Sequence, residues 1–224
     1  MRRILFLLLT ALFLMFSAHG IEAQTNTSVS IVPASPLTPD LNDFIYRLAP
    51  GLVQGLAEPF QTGQDLAFQG NGLAKPAVAK DNIPGWPDIH KPEFANDGYY
   101  GNGASWISNS SGSWVKIDLG RIALIDRITF GRDRIGNYND RDPGQFTIEV
   151  ALTDNVYANG DDSNDSSEYT EILDSGTLGF SGSIHYSQTV QASFPPAAAR
   201  FIKLTVASHG ACIDEFEVFG VINT

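Results

Sequence analysis

Residues 113–120 read Ser-Trp-Val-Lys-Ile-Asp-Leu-Gly, an alternation that places Trp114, Lys116 and Asp118 on one side of an extended chain and Val115, Ile117 and Leu119 on the other. This is the pattern of a strand with one apolar face, closed by a glycine that permits a change of direction. Outward from it the same short period recurs. Leu124–Phe130 follows, then Gln145–Leu152 with Phe146, Ile148 and Val150 facing one way, then Tyr169–Leu173, Ile184–Phe194, Arg200–Val206 and Glu215–Phe219. Clusters of Gly, Asn, Asp and Pro separate these runs. After residue 60 there is no long helical period, and no repeat of 20–50 residues occurs anywhere in the chain. The pattern predicts an all-β domain, a sandwich or a barrel. Trp106, Trp114, Phe130, Phe146, Phe201 and Phe219 are assigned to a single core.

The N-terminal part of the chain has a different character. Arg2 and Arg3 precede an apolar run from Ile4 to Phe16, and the small-residue stretch Ser17–Ala23 follows. Residues 1–23 are read as a signal peptide, so the protein is expected to be secreted, extracellular or periplasmic, with no membrane insertion after cleavage. Residues 24–64 are read as a linker. Positions 24–40 are rich in Ser, Thr and Pro, and 41–60 are expected to hold short helical turns. The domain proper is placed at residues 65–221.

Charge and motifs narrow the function. The 224 residues carry 25 acidic and 14 basic side chains, a net charge of −11. Removal of Arg2, Arg3 and Glu22 with the signal peptide leaves −12. A surface of that sign repels phosphate backbones, so nucleic acid is excluded as a partner. There is no H-E-x-x-H, no glycine-rich phosphate loop and no G-x-S-x-G elbow. The acidic residues fall in Asx-rich turns rather than in any legible catalytic pair, and the protein is read as non-catalytic. Cys212 is the single cysteine, so no internal disulfide forms, and it is read as a small buried apolar group.

Seven segments in series resemble the discoidin domain, also called the coagulation factor 5/8 C-type domain, of the galactose-binding-like superfamily. They are Asp65-Leu66-Ala67 through Gly72-Leu73-Ala74; Ala95-Asn96-Asp97-Gly98; Trp106 with Ser113–Gly120; Ile125–Ile128; Phe146–Val150; Ala199–Thr205; and Asp214–Gly220. The departures are a long insert at Asn159–Ser167, two extra residues between Asp97 and Trp106, and the missing cysteine pair of animal members. The resemblance implies an eight-stranded antiparallel jelly-roll β-sandwich. It also implies a binding function: bacterial members similar to this chain, the family 32 carbohydrate-binding modules, attach secreted enzymes to glycans. A β-sandwich used for adhesion or protein interaction is the alternative reading, and a small glycan-active enzyme a third.

Two candidate sites follow. Calcium takes six to eight oxygens, mixing carboxylates with carbonyls in tight turns, and the turn Phe94–Gly98 has that composition. The resemblance implies a structural calcium ion shared by Asp97 and Glu215, with Phe94, Asn102 and Ser105 as further ligands. An Asx-turn at Asp97 with an exposed Glu215 is the competing reading. The glycan is expected at loops gathered at one end of the sandwich. Trp86 lies between prolines in the loop 81–90, which also holds His90. The loop 131–142 carries Arg132, Arg134, Tyr138 and Arg141 in an otherwise acidic chain. An aromatic face suits the C–H patch of a sugar, and guanidinium groups suit its hydroxyls or carboxylates. Internal Arg–Asp pairing that stiffens the loop is the competing reading for each arginine.

Overall fold

The computed structural model describes residues 26–33, 64–133, 138–155, 157, 168–186 and 188–222. Among them the chain forms nine strands: β1 (Ser28–Pro33), β2 (Val78–Ala79), β3 (Trp106–Ile107), β4 (Ser113–Gly131), β5 (Phe146–Ala151), β6 (Thr170–Asp174), β7 (Gln188–Val206), β8 (Cys212–Ile213) and β9 (Glu215–Ile222). The only helical pieces among these residues are short 3₁₀ turns at Gln69–Asn71 and Pro92–Asn96. The signal peptide, the helical turns expected within 41–60 and the insert 159–167 lie outside the described residues.

The long strands β4 and β7 organise everything else. Each runs 19 residues, and they pair antiparallel from Ser113–Val206 to Gly131–Thr189, with shifts of register between Asp118 and Ala123 and between Ile125 and Arg127. In one half of the molecule the order is β2-β4-β7-β5-β6. In the other, β9 flanks β4 and β1 flanks β7. The sequence suggested two strands separated at Gly120; the structure makes them one bent strand. Gly120 adopts φ 78°, and a Cβ there would stand 2.1 Å from the carbonyl oxygen of Leu73. No other residue fits this bend.

The alternation at 113–119 sorts as read. Val115, Ile117 and Leu119 join the core with Ile128, Phe130, Phe146, Ile148, Val190, Leu204, Phe216 and Val218. Phe146 meets Phe130 edge-on at 4.9 Å and Phe180 at 5.5 Å. The six aromatics do not share that core, however. Trp106, Phe130 and Phe146 belong to it, whereas Trp114 and Phe201 are buried outside it, and Phe219 is half-buried under Arg127, whose guanidinium lies 3.8 Å from its ring centre.

Trp114 and its neighbours are buried because the outer face of the sheet is itself covered. Lys116 and Lys203 stand opposite each other on β4 and β7, both almost wholly buried. Each ammonium has its own carboxylate, Asp154 at 2.5 Å and Glu149 at 2.8 Å. The Tyr169 hydroxyl also donates to Asp154, and its ring lies 4.6 Å from Lys203. Burial resists ionisation of Asp154, but the bonds from Lys116 and Tyr169 hold its carboxyl below the ordinary range.

The linker assignment for 24–64 is corrected at Ser28–Pro33. This segment pairs with β7, from Ser28–Ser193 to Pro33–Gln188, and Val29 packs against the core. Its Ser-rich composition and its proline fit an edge strand with one side toward water.

Candidate functional site

The loop 81–91 is built on Asp81. Its carboxylate accepts from the Asn109 amide and from the hydroxyls of Ser110 and Ser113, while its carbonyl accepts from Trp106 Nε1 at 2.8 Å. Burial works against the charge, yet the two hydroxyls and the amide keep the Asp81 carboxyl below its ordinary range. On this base the chain makes a turn in which the amides of Ile89 and His90 donate to the Trp86 carbonyl. The Trp86 side chain is 56% exposed, very unusual for so large an apolar ring, and it sits one turn from His90. His90 is buried, with Nδ1 3.3 Å from Ser105 Oγ. Burial, and then the charge of Arg141, lower its basicity.

Arg141 therefore brings the second loop against the first. Its guanidinium lies 5.0 Å from the ring centre of Tyr138, itself 44% exposed, and its backbone carbonyl accepts from the Cys212 amide. Among the described residues Nε is buried without a hydrogen-bond acceptor, and the exposed Asp140 carboxylate is 3.7 Å away. A Cβ on Gly210 would lie 3.9 Å from Nη1 of Arg141, so the loop 207–210 forms the third border. Gly210 itself takes φ 75°, a backbone conformation that L side chains rarely adopt. Arg141 thus stands beside Tyr138 and close enough to lower the basicity of His90, while Trp86 shares the turn of His90.

Arg132 is a correction. It is buried, with Nε donating to the Ile184 carbonyl at 2.8 Å, Nη1 to the Tyr138 carbonyl at 3.1 Å, and Asp142 at 3.6 Å. It is a tie between loops and presents nothing to a ligand. Arg134 lies outside the described residues. Cys212 is fully buried, and burial, with Asp214 nearby, pushes its thiol up to about 12.

The calcium candidates surround the turn 97–102. Three amides there donate to buried carboxylates on other segments: Gly98 to Glu215 at 2.9 Å, Gly101 to Asp214 at 3.0 Å, and Asn102 to Asp133 at 3.0 Å. Glu215 is 1% exposed rather than solvated. Burial, with Asp65, Glu217 and Asp97 close by, pushes its carboxyl well above the ordinary range. Asp97 makes the Asx-turn bond to the Tyr99 amide. Phe94 is half-buried within the turn Pro92–Asn96, and Ser105 Oγ donates to the Asn102 carbonyl at 2.7 Å. No group of three His, Cys, Asp or Glu side chains arranged for a metal occurs among the described residues. The carboxylates that would hold a cation are Asp97 and Glu215, each accepting a backbone amide, and a cation there would relieve the crowded negative charge at Glu215.

A striped bass (Morone saxatilis) serum fucolectin superposes with a TM-score of 0.52 at 15% identity, covering 73% of this chain and 49% of that one. The family 32 carbohydrate-binding module of NanJ from Clostridium perfringens, solved with galactose, gives 0.48 at 15% identity, covering 66% and 94%. Chitosan-binding module 2 of a chitosanase/glucanase from Paenibacillus sp. IK-5, solved with chitotriose, gives 0.49 at 16%, covering 70% and 100%. No curated protein sequence matches. The family model of the F5/8 type C domain matches residues 77–216, from β2 into β9 and so through the whole shared β4–β7 ladder. The chain belongs to the F5/8 type C, or discoidin, domain family, with a galactose-binding-like β-sandwich fold.

Proposed function

We propose that the protein is a secreted, non-catalytic carbohydrate-binding module whose ligand lies between the loops 81–91 and 138–142. The observation that carries this reading is Arg141, a guanidinium held beside the exposed Tyr138 ring with its buried Nε lacking an acceptor among the described residues. A sugar offers oxygens for Arg141 and a C–H face for the exposed Tyr138 and Trp86 rings, while the buried His90 braces its turn through Ser105. Membership of the discoidin family supports the same reading.

Calcium belongs to this proposal as a structural ion. Asp97 and Glu215 would hold it with nearby loop carbonyls, and it would supply positive charge that fixes the turn 97–102. The chain's own residues do the binding.

A glycan array screened with calcium present, followed by calorimetry on the positive sugars, tests the proposal. Trp86→Ala is expected to weaken binding by about 1–3 kcal/mol, the cost of losing an aromatic hot spot, with little change in stability. Arg141→Ala is expected to weaken it too, more for an acidic sugar than for its neutral counterpart. Binding that survives both substitutions would place the ligand elsewhere.

A further inference from the structure

We propose that Asp133 is the positioning residue that locks the two halves of this site into one geometry. The proposal rests on the glycan reading above and gives a role to a residue that touches no ligand. Asp133 is completely buried and lies two residues beyond the end of β4. Its two oxygens face two different loops. Oδ1 accepts the Asn102 amide at 3.0 Å, and Oδ2 accepts the Tyr138 amide at 2.8 Å.

Each bond leads to one wall of the site. From Asn102 the path runs through its carbonyl to Ser105 Oγ at 2.7 Å, and from that hydroxyl to His90 Nδ1 at 3.3 Å. From Tyr138 it runs to the ring that faces Arg141. The Tyr138 peptide is held on both sides, since its carbonyl accepts from Arg132 while its amide donates to Asp133. His90 and Arg141 stand on loops about fifty positions apart in sequence, and one carboxylate fixes both.

The chemistry requires a carboxylate. Two backbone amides converge on it from separate loops, so the side chain must accept on both oxygens. Asparagine has the same shape but offers one acceptor and one NH₂ group, which would point a donor at a donor. In a buried position the amide left over stays unsatisfied.

The test compares Asp133→Asn with Asp174→Asn. Asp174 also accepts a backbone amide, from Gly176 at 2.8 Å, but lies at the end of β6 and belongs to none of the loops 81–91, 138–142 and 207–210. Two readouts are needed: amide exchange with side-chain contacts in the sugar-free protein by NMR, and calorimetric titration with galactose and galacturonate. In Asp133→Asn the amides of Asn102 and Tyr138 are expected to exchange faster, and the His90–Ser105 and Arg141–Tyr138 contacts to be lost. Affinity for whichever sugar the wild type binds is expected to fall about tenfold, the scale of one lost charge-assisted hydrogen bond. Asp174→Asn should keep both contacts and affinity even where it lowers the melting temperature. Should Asp133→Asn not fold, Asp133→Glu keeps the charge but displaces both oxygens and makes the same comparison. Contacts and protection unchanged in the Asp133 variant, or losses no greater than in Asp174→Asn, would overturn the proposal. Failure of the wild type to bind either sugar would count against the glycan reading for those sugars, and the sugar-free NMR would still decide the role of Asp133.

Discussion

His90 shows how much one side chain depends on its surroundings. Burial and the nearby Arg141 charge lower its basicity from the ordinary 6.5, so the folded protein keeps a neutral ring where the unfolded chain has already taken up a proton. This contribution to stability is complete above about pH 6.5. It is lost as the pH falls from there toward the depressed value. The melting temperature of the wild type is therefore expected to drop more steeply between pH 7 and pH 5 than that of His90→Gln, in parallel scans; equal slopes would show that the ring titrates normally. The sequence offered His90 and Arg141 as site residues on composition alone. It gave no means of separating Arg141 from Arg132, because which guanidinium turns inward depends on the Ile184 and Tyr138 carbonyls, and these reach Arg132 only after the loops have folded. Asp133 was passed over for a similar reason. An acid in an Asp-rich loop looks solvated until its two amide partners are in place.

Among the elements, β1 depends most on context. It covers the edge of β7 from Gln188 to Ser193 and lies outside the residues matched by the family model. A chain shortened to begin after Pro33 would leave that row of backbone groups open, and open edges recruit other strands. The expected outcome is a lower melting temperature and greater self-association than in the full chain, measured by thermal melts and sedimentation velocity. A shortened chain as stable and as dispersed as the full one would make β1 dispensable. Legibility followed the length of each element. The six residues between Ser113 and Gly120 alternate cleanly and were readable. The two-residue β2, β3 and β8 are too short to show a period, and β1 was hidden by its Ser and Pro content. The charged residues of the outer face misled in the other direction. Lys116, Asp118 and Lys203 suggest a wet surface, but Asp154, Arg200 and Glu149 respectively supply the partners that permit their burial.

At the scale of the molecule, the carboxylates gathered near Glu215 link folding to the ionic environment. A cation that binds only the folded protein stabilises it by about 2.7 kcal/mol at a hundredfold excess over its dissociation constant. Excess chelator is expected to lower the melting temperature of the wild type, and Asp97→Ala to abolish that response; a wild-type melt indifferent to chelator, in protein shown beforehand to be free of metal, would remove calcium from the account. The β4–β7 ladder has a different kind of consequence, for the order in which the protein assembles. Trp114 pairs with Thr205 and Gly131 with Thr189, so contacts that serve both layers join chain segments 91 and 58 positions apart. Neither layer can be completed until nearly the whole domain has left the ribosome. Folding of this kind is slow, on the order of milliseconds to seconds, because the entropy of closing long loops is lost before the contacts form. Once closed, the two strands run through both layers like a pair of common beams, and neither layer can come apart while the other stays whole.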